Sequence, residues 1–446
     1  MILTFVGALT IGRQILYVSP DGNDAWSGRR LKPNARRTDG PFHSIAAARD
    51  TLRKLPPGTA AIVEIAKGLY RIDKPIVFGP QDSGSGTADR AYYASRGAVL
   101  SGMRRITGWH RWPNGWLEAH VPADWTFSQL FVNGERRYRP RFPKTKGYYT
   151  IAGKVAPTDA AKGHGFDRFR FNPGEIEATW ANPDDVEILA MHIWGMSRNR
   201  IGSIDEAQHV VTFKAPTGYD ANWADLPEGG RYLVENVREA LGTPGQWYLD
   251  RSRGMVTYIP KPGENAKNID VEAPVTESLM EFRGDVKNRK WVSHIVVSGL
   301  GFEGTNWNLG PQGRNFPQAE ADLPGAIRFE GARDCKLLGC DIRHTGAYAV
   351  EIGPACKIVA VAVNAMSDLG AGGVKVGEMA WQRDPDLITE HCLVDDNVIQ
   401  GGGRLHPAAV GVWVGQNPFI KVQGNLIRDL YYTGISVGWS WGYQPN

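Results

Sequence analysis

The sequence lacks the features that mark membrane, nucleic-acid-binding and zinc proteins. Its N-terminal apolar run, MILTFVGALTIG, is too short to cross a bilayer. Lys and Arg total 51 against 47 Asp and Glu, a net charge of +4. This balance does not favour a nucleic-acid or acidic membrane partner. The densest basic cluster, ERRYRPR (135–141), is interpreted as a solvated face, with nucleic-acid binding as the weaker alternative.

Cysteine is scarce, and its spacing excludes the common metal motifs. The four cysteines form no C-x-x-C pair, so we expect no metal and interpret them as small buried core residues: Cys335, Cys340, Cys356 and Cys392. Residues 1–16 lack a basic start and a clear cleavage site. We interpret them as the remnant of a signal peptide, which predicts a secreted or periplasmic protein.

Glycine and tryptophan are abundant. The 53 glycines, together with asparagine and β-branched residues, indicate short strands and tight turns. The 15 tryptophans favour flat platforms for sugar rings, although core packing is the commoner use of tryptophan.

The chain divides into three stretches after residue 16. In 17–103, apolar residues at helical spacing predict a helix after Ser44 that caps the end of a repeat. In 104–290, hairpin signals at Asn133-Gly134 and at 251–254 predict an inserted β-rich domain. The third stretch, 291–446, contains the repeat.

Five segments of the third stretch align: AIRFEG, AVEIG, GVKVG, GVWVG and GISVG. Their second residues fall at 327, 350, 374, 412 and 435, in steps of 23, 24, 38 and 23 residues. A period in the low twenties predicts an all-β fold, a right-handed parallel β-helix, with the loop Glu378–His391 taking up the long step. Gly434–Gly438 also matches the G-x-S-x-G motif, but the equivalent segment one rung earlier carries Trp413 in place of Ser436, so we interpret the match as a ladder feature.

Alternation along these strands points one residue of each segment outward. The resulting line, called the outer column, comprises Arg328, Glu351, Lys375, Trp413 and Ser436. It predicts a polysaccharide groove in which Trp413→Ala weakens glycan binding without loss of fold. The alternative is a solvated ladder of opposite charges. His344, Glu378, His406, Trp439, Trp441 and Tyr443 are expected in the adjoining turns.

The opening YVSPDGNDAWSG resembles the start of secreted right-handed parallel β-helix proteins of the pectate-lyase-like superfamily. Four further motifs resemble, more specifically, glycoside hydrolase family 141: QLFVNGERRYRPRFP, PGQWYLDRSRGMVTYIP, GRLHPAAVGVWVGQ and DLYYTGISVGWSWGY. The resemblance covers residues 17–443. It implies fucosidase or xylanase activity on a plant or algal polysaccharide.

Glycoside hydrolysis needs two carboxyl groups about the scissile bond. The catalytic candidates are Glu351, Glu378, Asp384 (with Asp386 beside it) and His406. The substrate-binding candidates are Arg328, Lys375, Trp413, Trp439, Trp441 and Tyr443. No cofactor is expected. Two alternatives stay open: a polysaccharide lyase with Lys375 or Arg328 as base and calcium as helper, and a non-catalytic glycan-binding protein.

The sequence after Ser436 has no charge and no helical period that would cap a repeat. We therefore expect an incomplete set of catalytic carboxylates, with an aspartate in further rungs implied by the resemblance. The alternative is end-to-end association of two copies through the open rung.

Overall fold

The computed structural model describes residues 13–56, 59–86, 88–145, 147–310, 313–315 and 317–438. The chain is predominantly β, with three large parallel sheets and three antiparallel sheets. The predicted signal remnant lies mostly outside the described residues, but Gln14–Val18 already forms the first strand. Residues 14–16 are therefore part of the fold.

The three large parallel sheets contain eight, seven and seven strands. Sheet 1 consists of Gln14–Val18, Ala61–Ile65, Arg90–Ala94, Ile295–Ser298, Lys336–Leu338, Ala360–Ala362, Leu393–Asp395 and Lys421–Gln423. Sheet 2 consists of Gly68–Arg71, Ala98–Ser101, Gly301–Glu303, Asp341–Thr345, Ala365–Leu369, Val398–Gln400 and Leu426–Arg428. Sheet 3 consists of Ile76–Phe78, Met280–Arg283, Gly325–Glu330, Tyr348–Ile352, Val374–Val376, Val412–Val414 and Ile435–Val437.

From Ala61 onward the chain visits the sheets in a fixed order, from sheet 1 to sheet 2 to sheet 3, and then returns to sheet 1. Each circuit adds one strand to each sheet, parallel to the strand before it. The irregular loop Glu378–His391 separates Val374–Val376 from the next strand of sheet 1, as the long step of the repeat predicts.

One apolar core lies between the three sheets, because alternate residues of every strand face it. Ile327, Val350, Val374 and Val412 are completely buried there, as the alignment predicts. Phe282 and Phe329 stack in it with ring centres 4.3 Å apart. In the last described strand of sheet 3, Ile435 and Val437 are instead 46% and 71% exposed.

Stacked asparagines at the turn between sheet 1 and sheet 2 form a ladder of side-chain hydrogen bonds, called the asparagine ladder. The Asn364 side-chain amide donates to Oδ1 of Asn397 at 2.9 Å, and the Asn397 amide donates to Oδ1 of Asn425 at 2.9 Å. Each side chain also reaches a backbone carbonyl, that of Leu337 for Asn364 and that of Val361 for Asn397. The asparagine side chains therefore hydrogen-bond backbone groups of a buried turn that have no partner in the sheets.

The predicted helix is present at Ile45–Leu52, with the Ser44 side chain accepting a hydrogen bond from the Ala47 amide. Its buried residues, Ile45, Ala48 and Leu52, pack on the core of the parallel sheets. Short 3₁₀ turns occur at Pro80–Asp82, Asp159–Ala161, Pro183–Asp185, Asn222–Ala224, Arg238–Ala240, Val286–Asn288 and Gln318–Glu320.

The antiparallel sheets are built largely from residues 103–274. The first contains Glu135–Arg137, Leu130–Val132, Val271–Pro274 and Met103–Ile106, and the second contains Trp247–Asp250, Met255–Tyr258, Leu117–His120 and His110–Arg111. The largest contains Arg141–Phe142, Arg231–Glu235, Glu187–Met191, Met196–Asp205, Val210–Phe213, Arg168–Arg170, Gly153–Lys154, Tyr149–Thr150 and Arg314–Asn315. A two-stranded parallel pair, Val292–Ser293 with Ala332–Arg333, completes the set.

Both predicted hairpins are present in this antiparallel region. Asn133 and Gly134 turn with positive φ between their strands, and the turn at 251–254 joins Trp247–Asp250 to Met255–Tyr258. Met280–Arg283 belongs to sheet 3 although it precedes residue 291. Apolar side chains from both parts of the chain pack together, including Leu189 and Leu233 with Trp307 and Tyr348.

All four cysteines are free thiols in the core, which confirms their predicted burial. Burial raises the pKa of the Cys340 thiol to about 12, so this group stays protonated and unreactive at neutral pH. No helix in the described part of the chain is long and apolar enough to span a membrane.

The asparagine ladder generates a stability prediction. Asn397→Ala should lower the free energy of unfolding by about 3 kcal/mol, because it removes several buried hydrogen bonds and leaves their partners unsatisfied. A urea midpoint with unchanged slope measures this loss. The control is Gln423→Ala on the neighbouring strand, whose exposed side chain should contribute less than about 0.5 kcal/mol. Equal midpoints for the two variants would show that the ladder adds nothing to stability.

Candidate functional site

The five residues of the outer column are cross-strand neighbours on sheet 3, as predicted. Glu281 extends the line by one strand before Arg328. Charges alternate along it: Arg328 lies 4.0 Å from Glu281, and Lys375 lies 2.9 Å from Glu351. This alternation corresponds to the charge ladder that was the alternative to a groove.

A neighbouring segment, residues 319–323, covers part of the outer column. Trp413 is 1% exposed and packs against Ala319 and Ala321. The Lys375 ammonium donates to the Leu323 carbonyl at 2.8 Å and is also buried. The expectation that every side chain of the column faces solvent is therefore wrong for Lys375 and Trp413. The physical reason is a fold-back in which Ala319 and Glu320 both adopt left-handed backbone angles.

Glu378 differs from the other acids near the column. Burial and the negative charge of Glu330 raise the pKa of its carboxyl group, while Lys375 opposes that shift. The Asp384 carboxylate, by contrast, forms an ion pair with Arg289 at 2.8 Å. Asp386 pairs with the same arginine.

His406 is fully buried, and its Nδ1 atom lies 3.1 Å from the Glu320 carboxylate. The ring centres of His406 and Trp307 are 4.4 Å apart, and the two ring planes are nearly perpendicular. Burial lowers the pKa of His406 against the pull of Glu320. The remaining predicted binding residues, Trp439, Trp441 and Tyr443, lie outside the described residues.

A second line of functional groups lies where the strands of sheet 2 end. Arg343, Ser367, Gln400 and Arg428 are cross-strand neighbours. The residue that follows each of them has positive φ, and these four residues, called the corner column, are His344 (58°), Asp368 (50°), Gly401 (68°) and Asp429 (56°). The same left-handed backbone occurs at Asp334, Ile358, His391 and Phe419, each two residues before a strand of sheet 1, so it is a regular feature of the turns in this repeat.

Asp368 is the most strongly held member of the corner column. Arg136 Nε donates to both of its carboxylate oxygens, at 2.9 and 3.1 Å, and His344 Nδ1 lies 2.6 Å away. Burial disfavours the charged carboxylate, but the Arg136 charge and the hydrogen bonds outweigh burial and hold the Asp368 pKa well below its usual range. Asp368 is therefore ionised at neutral pH.

Arg136 is itself fixed by groups from both parts of the chain. It donates to Gln129 Oε1 at 2.6 Å and to the Thr345 carbonyl at 3.1 Å, and its guanidinium lies over the Phe131 ring. The antiparallel region thus positions the acid at the end of sheet 2.

An open hollow of about 560 Å³ surrounds the two acids of the corner column. It is lined by Ser367, Asp368, Gln400, Gly401, Arg404, Arg428 and Asp429. Asp429 is largely exposed and pairs with Arg404. Gly401 separates the two acids along the column, and the Arg404 guanidinium lies over it, since a Cβ atom at Gly401 would be 3.3 Å from Arg404 Nη2.

A cavity of about 390 Å³ adjoins this hollow across Arg404. It lies between the antiparallel region and the turns of sheet 2, and three exposed tyrosines line it: Tyr138, Tyr148 and Tyr431. We call the hollow and the cavity together the junction cleft. Its volume and its mixture of aromatic and polar groups suit a small-molecule or oligosaccharide ligand.

A buried charge network forms the back of the junction cleft. Arg139 and Arg198 both bind Glu187 at 2.7 Å, and both also reach Glu235. Burial disfavours the Glu187 carboxylate, but the two arginines outweigh it and lower its pKa. Glu187 is therefore ionised at neutral pH, and its hydrogen bonds with Arg139 and Arg198 hold this wall together.

Sequence reasoning missed the junction cleft. Arg136 lies in QLFVNGERRYRPRFP and Asp429 begins DLYYTGISVGWSWGY, but the alignment followed sheet 3 alone and Asp368 lies in none of the quoted motifs. One signal was available: His and Asp at equivalent strand ends are residue types that tolerate left-handed backbone. Within the described ranges, no group of three His, Cys, Asp or Glu side chains is placed to hold a metal ion.

No protein-family model matches the chain, and no curated protein matches it by sequence. A solved structure described as "Glycoside hydrolase" is similar over 97% of this chain and 81% of that one, with a TM-score of 0.81 and 21% identity. This likeness shows a shared fold. The structure of XylC with xylose gives a TM-score of 0.48 at 13% identity, covering 96% of this chain and 60% of that one. The lacto-N-biosidase of family GH136 from Eubacterium ramulus gives 0.36 at 12%, covering 96% and 55%.

Burial of Trp413 reverses the expected result of its substitution. Trp413→Ala should lower the free energy of unfolding by about 3–5 kcal/mol, because it opens a cavity beneath residues 319–323. Thermal and urea unfolding measure the loss. Trp381→Ala, at a half-exposed tryptophan in the loop 378–391, is the control and should have little effect. A Trp413 variant as stable as the control would mean that the cover does not pack on the indole.

The Asp368 ion pair predicts a pH-dependent stability difference. Its folded pKa lies below the unfolded value of about 3.9, so the pair stabilises the fold at neutral pH and loses this effect as the pH falls below about 4. Asp368→Asn should therefore cost about 3 kcal/mol at pH 7, because Arg136 is left buried without its carboxylate. The difference from wild type should shrink progressively below pH 4.

Urea unfolding over a range of pH measures this difference. Asp341→Asn is the control: its exposed carboxylate on the same sheet lies 3.7 Å from Arg343, and the substitution should change stability by less than about 1 kcal/mol. A cost of Asp368→Asn that does not vary with pH would contradict the assignment.

Proposed function

We propose that the protein is a glycoside hydrolase that binds a polysaccharide in the junction cleft and uses Asp368 and Asp429 as its two carboxyl groups. The observation that carries the proposal is the corner column. It presents two acids at equivalent strand ends, with a glycine between them, in a cleft lined by exposed tyrosines. Two carboxyl groups facing one cleft are the minimum equipment for glycosidic hydrolysis.

The spacing of the acids favours inversion of configuration. Two strand spacings separate Asp368 from Asp429, or about 9–10 Å between their backbones. This is near the carboxyl separation of about 6.5–9.5 Å that leaves room for an attacking water. A water between the acids would lie beside the Arg404 guanidinium that covers Gly401.

The two acids are assigned different roles. Asp368, ionised through Arg136 and His344, is the base that orients and deprotonates the water. Asp429 is the acid: it lies exposed at the mouth of the cleft, where a bound sugar would cover it.

The detailed predictions for the fold and the domains are part of this proposal. We propose that the three parallel sheets are the faces of a right-handed parallel β-helix, and that residues 104–290, apart from the sheet 3 strand Met280–Arg283, are an inserted domain forming one wall of the cleft. Fucosidase or xylanase activity, export from the cytoplasm and end-to-end association stay predictions. The solved structure described as a glycoside hydrolase supports the choice of reaction through its fold alone.

A polysaccharide lyase is the second candidate, favoured by the arginines that line the cleft. The bases first considered for it are both engaged: Lys375 with Leu323 and Glu351, and Arg328 with the Gly325 carbonyl. Arg404 is also engaged: burial disfavours its charged form, but its ion pair with Asp429 outweighs burial and raises the pKa of the guanidinium. Products distinguish the reactions, since a lyase leaves an unsaturated sugar that absorbs in the near ultraviolet and a hydrolase leaves only a new reducing end.

The proposal predicts the effect of Asp429→Asn on activity. Reducing-end release from xylan, pectin or aryl fucosides should fall at least about 100-fold, because the acid is lost. The fold should be unchanged, since the Asp429 side chain is 67% exposed. Asp341→Asn, an exposed acid of the same sheet outside the cleft, is the control and should keep wild-type activity. Full activity of Asp429→Asn would overturn the assignment of the acid, and ultraviolet-absorbing products would favour the lyase.

A further inference from the structure

We propose that the junction cleft contains a subsite for an anionic substituent of the glycan, a carboxylate or a sulfate ester, formed by Arg141 and Lys144 beside Tyr138 and Tyr148. The inference rests on the proposed function, because it names the substrate class of the same cleft. We call these four residues the basic arm.

The balance of charge in the cleft points to the basic arm. Seven cationic side chains line the inner cavity: Arg136, Arg137, Arg139, Arg141, Lys144, Arg198 and Arg404. Five of them have carboxylate partners. Arg136 pairs with Asp368 and Arg404 with Asp429, while Arg139 and Arg198 share Glu187 and Glu235. Arg137 binds Glu135 and Glu264, and Lys261 shares Glu135 with it. These groups are balanced, so Arg141 and Lys144 leave an excess of positive charge.

The carboxylate opposite Arg141 already binds two other arginines. Its cross-strand neighbour in the largest antiparallel sheet is Glu235, whose Oε2 accepts from both Arg139 and Arg198. The half-buried Arg141 guanidinium therefore faces the cleft without an ion pair among the described residues. A guanidinium presents paired donors that fit a carboxylate or a sulfate through two hydrogen bonds.

Lys144 extends the same edge of the cleft. Its ammonium donates to the Glu239 carbonyl at 3.1 Å and lies 5.3 Å from the Phe142 ring, contacts that hold it without neutralising it. An ammonium has three donors, so two remain for a ligand. The exposed rings of Tyr138 and Tyr148 line the same cavity and offer flat apolar faces for pyranose rings.

A charged glycan fits this arrangement better than a nucleic acid does. A nucleic acid is bound by a stripe of uncompensated cations along its phosphates. In the segment 135–141 Arg136, Arg137 and Arg139 are instead neutralised by carboxylates. Only Arg141, with Lys144 three residues after it, has no carboxylate partner among the described residues. Two cations flanked by tyrosines suit isolated negative charges on a sugar chain.

Calorimetric titration of the full chain with three oligosaccharides of equal length tests the subsite: an oligogalacturonate, a sulfated galactan fragment and a neutral xylo-oligosaccharide. One charged ligand should bind at least about tenfold more tightly than the neutral one at low salt, and which one does so identifies the substituent. Arg141→Gln should remove about tenfold of that affinity and leave neutral binding within about twofold. Arg96→Gln, at an exposed arginine outside the cleft, is the matched control and should change neither.

The outcomes separate this inference from the proposed reaction. Equal wild-type affinity for charged and neutral ligands, or equal losses for Arg141→Gln and Arg96→Gln, would overturn the subsite even if the chain hydrolyses a neutral glycan through Asp429. Arg141-dependent binding of a charged ligand would support the subsite even if no hydrolysis is detected. A single-stranded oligonucleotide that binds more tightly than every oligosaccharide, with loss on Arg141→Gln, would assign the basic arm to nucleic acid and overturn the proposal.

Discussion

The ion pair between Arg136 and Asp368 is the contact on which the rest of the junction cleft depends. It joins a strand of the antiparallel region to the end of a strand in sheet 2, and its arginine also binds the carbonyls of Thr345 and Asp368. Because Arg136 is almost fully buried, its charge cannot be left without a partner. The two parts of the chain are therefore held in one relative position, and the cleft lies along the line where they meet.

The outer column and the corner column show two uses of the same repeat. On sheet 3 the charged side chains of the outer column pair with one another, and residues 319–323 cover Lys375 and Trp413, so this part of the face stabilises the fold. At the ends of sheet 2 the left-handed residues direct Asp368 and Asp429 into open space. A repeat places equivalent residues at fixed intervals on every face, and what covers a face decides whether its residues stabilise the fold or are accessible to a ligand.

The sequence predicts the local and periodic parts of the structure, but not which distant segments pack over a given face of the sheets. Alternation and spacing were enough to put Val350, Val374 and Val412 in one register, because strand pairing preserves a period of two. The burial of Trp413 could not be inferred, since the segment that covers it is distant in sequence and carries no periodic signal. Arg136 and Asp368 are 232 positions apart, so their pairing also depends on the whole fold. Glu378 was correctly located after its strand, whereas the acids of the junction cleft were missed because only one sheet was aligned.

The position of the antiparallel region within the chain has a consequence for folding kinetics. Ala98–Ser101 must pair with Gly301–Glu303, and Arg90–Ala94 with Ile295–Ser298, across the whole of residues 103–274. Contacts of such long sequence separation form slowly, because loop closure costs entropy before any contact repays it. Met103–Ile106 and Val271–Pro274 are antiparallel partners, with Met103 opposite Pro274. Once this pair has formed, it spans residues 103–274, and only the short segments on either side of it separate the parallel partners, so an early-folding antiparallel region would act as a clamp that shortens the search for the parallel pairs.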